Sequence, residues 1–246
     1  MAKITVHCMV RNEPFVYYAV KSVYDYVDKI LIYDTGSNDK YTIKDILQLQ
    51  DEDTEQKITF KNVLLDYDET PWKVGTCREM AKQHYGQKGT WWARQRMIDE
   101  TDTEYFLILD GDEIHFHQTI SAIRHCVDNW PKDKVCGFTS LIWHLTLTQI
   151  FRTSHSGRIF LTKAIEMTKY SPGEMHILKG SKQRIGKNSN CSFLIPNVKP
   201  FAHFEKMLKP WRREVEADTI RDIAELPEVM NDYPEKLVRY LNECIS

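Results

Sequence analysis

The chain has 246 residues, of which 42% are hydrophobic, enough for one substantial core and too apolar for a disordered tail. Its 33 basic and 35 acidic side chains leave a formal charge of −2, which excludes a nucleic-acid coat protein or an acidic tail and restricts any nucleic-acid contact to a local patch. Six cysteines (Cys8, Cys77, Cys126, Cys136, Cys191, Cys244) show no Cys-x-x-Cys spacing, so they read as reduced structural thiols in a cytoplasmic setting.

The amino terminus, MAKITVHCMVRNEPF, is too short and too polar for a signal peptide, and nowhere do about twenty apolar residues run together. No integral membrane contact is expected. Ile4 to Val10 reads as a first strand, and Pro14 opens a helix on which Val16, Ala19, Val20 and Val23 share a face. Lys29 to Tyr33 gives a second strand, DTGSND a turn, and Ile43, Ile46 and Leu47 a second helix; Ile58 to Leu65 gives a third strand. Three such units in succession predict a parallel, doubly wound sheet with its loops gathered at the carboxyl edge.

Residues 66 to 89 are irregular and charged, with breaks at Pro71, Gly75 and Gly86, and read as an excursion across the active face. A helix follows from about Thr90 to Glu100, with Thr90 as its cap and Met97 and Ile98 packing inward. It leads to YFLILDGDEIHF, where the buried strand Tyr105 to Leu109 ends on Asp110, Asp112 and Glu113. The glycine between the two aspartates lets the chain turn tightly so that both carboxylates can converge on one hard cation, magnesium or manganese. The competing reading is a solvated acidic turn. Ile120, Ile123 and Val127 mark the next helix, which ends near Pro131.

From Lys134 the texture changes. VCGFTSLIWHLTLTQIFR predicts longer, partly antiparallel strands, Ser154 to Arg158 a turn, Arg158 to Leu161 and Phe193 to Ile195 short strands, and Lys179 to Cys191 a basic loop. Residues 206–246 read as mostly helical, with Trp211, Val215, Ile220 and Ile223 among the apolar positions and Pro227 and Pro234 as dividers. The expected organisation is one catalytic domain over residues 1–205, with a nucleotide-binding half (1–131) and an acceptor-side half (132–205), and a helical extension over 206–246.

Four ordered stretches resemble the nucleotide-sugar glycosyltransferases of the GT-A fold, family 2. They are VRNEP after the first strand, ILIYDTGSND, ARQRMIDETDTEYFLILDGDE, and the late HF at residues 203 and 204. The third block carries Gln95 where the family's strongest form has asparagine, but Arg94 is in place. The resemblance implies an α/β fold of GT-A type: a Rossmann-like mixed central sheet flanked by helices, with a helical C-terminal segment. It also implies transfer of a sugar, with inversion, from a nucleoside-diphosphate sugar to a hydroxyl. A UDP-sugar is the first-choice donor, and a hydroxylated DNA base, a protein or a glycan all stay open as acceptor.

The same resemblance assigns roles to individual residues. Asp110 lies near the ribose and the metal, Asp112 binds the Mn2+ or Mg2+ that bridges the donor phosphates, and His203 completes the metal shell. Arg11, Asn12 and Glu13 line the nucleotide, and Asp34 accepts from the base or the sugar hydroxyls. On the residues alone, Asn12 serves equally well as a helix N-cap, Asp34 as the start of an Asx-turn, and Asp39 as a cap. Arg94 is suited to paired bonds with a diphosphate, with Arg78 and Arg96 as competitors, and Arg96, some 200 degrees away on the helix, cannot share that ligand. Trp91 and Trp92 suit either a sugar face or core packing. A carboxylate base for the acceptor comes from Glu166, Glu174 or Glu205; Glu174 is preferred because His176 stands two residues on, on the same side of an extended chain. His115 and His117 would share a face if extended, but no zinc-hydrolase pattern supports them. The basic run LKGSKQRIGKN suits a lid over phosphates or an anionic acceptor. A nucleotidyltransferase and a non-catalytic sugar-nucleotide or nucleic-acid binding module are the rival readings. A dehydrogenase is disfavoured because no Gly-x-Gly-x-x-Gly follows an early strand.

Overall fold

The computed structural model describes residues 1–65, 89–129, 135–139, 142–145, 150–153, 156–170, 173–181, 185, 191–193, 201–203 and 220–221. For 136, 138–139, 142–145, 150–153, 156–158, 168–170, 173–175, 191–193, 201–203 and 220–221 it describes the backbone. The expected excursion with Arg78, most of the basic run after Gly180, Glu205 and nearly all of the expected helical extension lie outside the described residues.

The core is a seven-stranded sheet in the order β12-β6-β9-β4-β1-β2-β3. Strands β1 (Ile4–Val10), β2 (Lys29–Asp34), β3 (Ile58–Asn62) and β4 (Tyr105–Asp110) are parallel. β9 (Ser156–Leu161) then runs antiparallel to both β4 and β6 (Cys136–Thr139), and β12 (Cys191–Phe193) pairs parallel with β6. The result is a mixed α/β architecture, a Rossmann-like central sheet with helices on both faces.

Central strands are near-continuous apolar runs because both of their faces are covered. On one face α1 (Val16–Val23), α2 (Thr42–Asp51) and α4 (His117–Asp128) pack Val16, Ala19, Val20, Ile46, Leu49, Ile120 and Ile123 on Val6, Cys8, Ile30, Ile32, Leu107 and Leu109. On the other, α3 (Thr90–Asp99) brings Ala93 and Met97 against Leu31 and Tyr33, and Ile98 against Phe106 and Ile108. A hairpin of β10 (Ile165–Tyr170) and β11 (Gly173–Leu178) completes that second layer, with Met167 in the Phe106 cluster.

Several local expectations change. Helix α1 begins at Val16, not at Pro14. In α2, Leu49 is buried and Leu47 is half exposed, because Leu47 is turned about 100 degrees from Ile46 whereas Leu49 returns to its face. Thr90 is the first helical residue of α3 rather than its cap; Gly89 flanks it with no side-chain cap. The third strand stops at Asn62, although Val63 and Leu65 stay buried. Ser156 and Gly157, expected in a turn, already belong to β9, where they pair with Thr139 and Phe138. The late strand is Cys191–Phe193, two residues earlier than expected.

A five-stranded sheet, β14-β8-β7-β13-β5, adjoins the acid block through β5 (Glu113–Ile114). Its other members are β7 (Ile142–Leu145), β8 (Ile150–Thr153), β13 (Phe201–His203) and β14 (Ile220–Arg221). β14 corrects a helical expectation: Ile220 and Arg221 pair antiparallel with Phe151 and Ile150, and the open edge of β8 overrides the helical spacing of the apolar positions.

Candidate functional site

β4 carries the chain to the carboxyl edge of the parallel sheet and ends there on Asp110. Gly111 follows, and a Cβ in its place would lie 2.8 Å from Glu13 Cβ and 2.8 Å from Val10 Cγ1. Besides the turn expected at this position, the close approach of the β1 loop requires the glycine. Beyond it Asp112 is 2% exposed and Glu113 is fully buried. The Glu113 carboxylate accepts from the Asp110 amide at 3.2 Å, which fastens the turn to the end of its own strand.

Asp110 is met from below by Arg94. The guanidinium donates to Asp110 Oδ1 at 3.1 Å and to the His7 carbonyl at 3.4 Å. The Arg94 side chain is 5% exposed whereas that of Asp110 is 39% exposed, so the cation is sealed in protein and its carboxylate partner opens to water. Arg96 faces outward, stacked on Trp92 and paired with Glu100, in keeping with the helical geometry. Trp92 packs against the Leu31 and Met97 cluster, which is the core role of the two considered for it.

The loops after β1 and β2 are stitched to each other. Asn12 adopts a left-handed backbone (φ 54°), a conformation asparagine tolerates better than most residues. Its amide donates to Ser37 Oγ at 2.8 Å, and its Oδ1 accepts from the amides of Asn38 and Asp39 at 2.9 and 3.2 Å. The N-cap reading of Asn12 fails: Phe15 flanks α1 and no side chain caps it. Asp34, 1% exposed, accepts from the amides of Gly36 and Ser37 and from Ser37 Oγ at 2.5 Å, which is the Asx-turn reading. Thr42 Oγ accepts from the Glu13 amide at 2.7 Å and donates to Asp39 Oδ2 at 2.9 Å, while Asp39 also receives the Thr42 amide at the start of α2. Arg11 is exposed at the rim.

Beneath Arg94 lies a column of rings. His7 stacks on Phe106 (4.5 Å, 7°), Phe106 on Phe160 (5.1 Å, 19°) and Phe160 on His176 (4.6 Å, 14°). Burial, and then the Arg94 and His176 charges, lower the His7 pKa well below the ordinary imidazole value, so the ring is neutral. Thr101 Oγ donates to the Met97 carbonyl at 2.7 Å, which leaves it to accept from His7 Nε2 at 2.6 Å and fixes the proton on that nitrogen. Burial, reinforced by Asp110, pushes the neighbouring Cys8 thiol up, which keeps it an inert core group.

The other expected residues are placed by backbone. His203 pairs directly with Glu113 across the β13–β5 ladder, one residue from Asp112. Glu174 pairs with Lys169 in the β10–β11 hairpin. Met167 in that hairpin donates its amide to Gln95 Oε1 on α3 at 2.7 Å. The side chain of Glu174, like that of His203, lies outside the described residues. Glu166 stands near the start of β10. There it accepts from the Gly180 amide at 3.1 Å and lines a cleft with Gln95, Thr101, Thr103, Lys163 and Lys179. The length of β4, about 20 Å, separates that cleft from Asp110. His115 and His117 do not share a face: His115 is buried beside Ser22, and His117 opens α4 and contacts Tyr26 at the surface.

Among the described residues, no three His, Cys, Asp or Glu side chains form a group that could hold a metal ion. A divalent ion at this edge needs a further ligand beyond the acid block, and His203 is the residue that the ladder brings beside it. Two carboxylates with one imidazole suit magnesium or manganese. Sequence reasoning missed the Arg94–Asp110 pair and the contact of Glu13 with Gly111. The only signal for the first was a cationic helix position, and for the second a glycine with no demand for positive φ.

No family model matches the chain, and no curated protein matches it. Among solved structures it is similar to S. aureus TarS 1-349, at 13% identity and a TM-score of 0.40, covering 66% of this chain and 48% of that one. It is also similar to glucosyl-3-phosphoglycerate synthase from Mycobacterium tuberculosis in complex with Mn2+ and uridine-diphosphate-glucose. That match has 14% identity and a TM-score of 0.36, covering 58% of this chain and 44% of that one. The chain thus spans less than half the length of either of these solved chains. Among the described residues no helix is long and apolar enough to cross a membrane.

Proposed function

We propose that the protein is a metal-dependent, inverting glycosyltransferase that moves a sugar from a nucleoside-diphosphate sugar, a UDP-sugar in the first instance, to an acceptor hydroxyl. The observation that carries this reading is the edge of β4, where Asp110 and the buried Asp112 stand beside the buried Arg94 and next to the register position of His203. Residues 1–131 form the donor side and 132–205 the acceptor side of this site, and reduced thiols in a cytoplasmic setting accord with it.

Asp112 and His203 would hold Mn2+ or Mg2+, with Asp110 beside them. Such an ion supplies positive charge where the departing diphosphate gathers negative charge. Arg94, sealed beneath the edge, braces Asp110 and lends its charge to the diphosphate end of the site. Arg11 at the rim, with Asn12, Glu13 and Asp34 behind it, shapes the nucleotide side. Glu174 takes the proton of the acceptor hydroxyl as its oxygen attacks the anomeric carbon from the face opposite the leaving group, which inverts that carbon. A hydroxylated base, a protein or a glycan fits the acceptor role.

The test is turnover and binding of a panel of sugar nucleotides with Mn2+, then Mg2+, by the wild type and Asp112→Asn. Donor hydrolysis or transfer should drop by about 100-fold or more in the variant. Equal donor affinity and turnover in the two proteins would leave a binding module in place of a transferase.

A further inference from the structure

The loop after β2 is fastened to β1 and its loop at both ends. At its base the Thr35 amide and hydroxyl both donate to the Val10 carbonyl, at 2.9 and 3.0 Å. At its exit into α2 the Glu13 amide donates to Thr42 Oγ at 2.7 Å. Between these fixings residues 37–39 reach back to Asn12, whose amide donates to Ser37 Oγ and whose Oδ1 accepts from the amides of Asn38 and Asp39. Two donors face that oxygen, so the orientation of the side-chain amide is fixed and both of its acceptor lone pairs are used.

We infer that Asn12 is a positioning residue for the nucleotide side of the site: its Oδ1 holds residues 37–39 closed against the β1 loop, and the donor nucleotide meets the edge so held rather than the Asn12 side chain. This role rests on the reading of the edge as a donor site and gives Asn12 an indirect part in it. In open α/β sheets the ligand lies beyond the carboxyl ends of the strands, where these two loops stand side by side. Asn12 is held in the left-handed region (φ 54°), which asparagine, aspartate and glycine enter far more readily than alanine. An aspartate there keeps both acceptor bonds, whereas a glycine keeps the backbone and loses them. Thr35 and Thr42 retain their own bonds in either variant, so the loss is confined to the turn between them. Nucleotide affinity then falls in proportion to the fraction of molecules whose turn is closed.

The experiment measures UDP binding with Mn2+ by calorimetry, and amide hydrogen exchange at Asn38 and Asp39, in the wild type, Asn12→Gly and Asn12→Asp. Salt of about 0.15 M screens the charge that the aspartate adds. In the wild type UDP should slow the exchange of both amides, a reading that needs no variant to fold. Asn12→Gly should speed their exchange and weaken UDP by about tenfold or more, whereas Asn12→Asp should stay within about threefold of wild type in both. Affinity that tracks protection across the three proteins upholds the inference. It is overturned if UDP binds the wild type without slowing the two amides, or if Asn12→Gly binds UDP like wild type. Loss of UDP by Asn12→Asp with both amides still protected also overturns it, because the side chain then touches the nucleotide itself. Each of these results leaves the transferase reading in place. If the wild type binds neither UDP nor any sugar nucleotide, the transferase reading falls and the positioning role falls with it.

Discussion

Two aspartates end neighbouring strands of β1, and they meet different fates. Asp34, at the end of β2, is 1% exposed and spends its oxygens on the amides and hydroxyl of its own turn. Asp110, at the end of β4, is 39% exposed and faces a guanidinium that is itself sealed in the core. Both residues look alike in sequence, an acid after an apolar strand. Their next three neighbours set them apart: TGS offers local donors, whereas Gly-Asp-Glu offers further acids, so the Asp110 side chain takes its charge partner from a helix sixteen residues back. One edge is built to hold a loop, the other to hold charge in reach of water.

The sharpest break of this contrast is Arg94→Met. Removing one member of a buried ion pair strands the other; because Asp110 opens to water the cost falls below that of a fully enclosed pair, at about 2 kcal/mol. Donor affinity should fall with it if the guanidinium also steers a diphosphate, and Arg94→Lys should restore stability better than donor affinity, since lysine supplies charge without the fork. Denaturant unfolding and donor titration separate the two. Stability lost with donor affinity intact would make Arg94 a structural counter-ion only.

Asp34 probes the other edge with a smaller effect. Asp34→Ala removes the acceptor of three short-range bonds and should cost about 1–2 kcal/mol, while Asp34→Asn, which keeps an acceptor for the Ser37 amide, should cost less than half of that. Both are read from unfolding midpoints. If Asp34→Asn unfolds like wild type yet binds no donor, the edge at β2 is a ligand site in addition to a turn.

The parallel half was legible because its elements follow one rule at a time. Ile4–Val10, Lys29–Asp34 and Tyr105–Asp110 are buried on both faces and read as apolar runs, and Ile120, Ile123 and Val127 keep a helical period. The Asp-Gly-Asp block stood out for the same reason, as charge where an apolar strand had to end. The second half resisted. Ser156, Gly157 and Ile220 are in strands because a neighbouring strand recruits them, and nothing local in SHSGR or DTIRD announces a partner. The braces of the site, Asn12 to Ser37 and Glu13 to Gly111, are likewise contacts between loops 25 and more residues apart, set by the sheet and invisible to spacing.

The smallest expected effect sits under Arg94, and its sign comes from the buried ring. His7 has its pKa lowered by burial and by the Arg94 and His176 charges, so the folded state takes up fewer protons than the unfolded chain, in which an imidazole titrates near pH 6.5. The stability that depends on a neutral His7 is therefore complete above about pH 6.5 and is lost as the pH falls from there toward the lowered folded value. His176 faces the column through Phe160 and Phe106, and Asp110 reaches it through Arg94, so the slope belongs to the group of four rather than to one ring. His7→Phe keeps the stack on Phe106, gives up the bond to Thr101, and should flatten the fall in melting temperature between about pH 6.5 and 5 while lowering the plateau above about pH 7. A variant whose melting curve stays parallel to wild type across that range would place the acid sensitivity elsewhere, and the contrast between a saturated β2 edge and a charged β4 edge would then have no buried histidine beneath it.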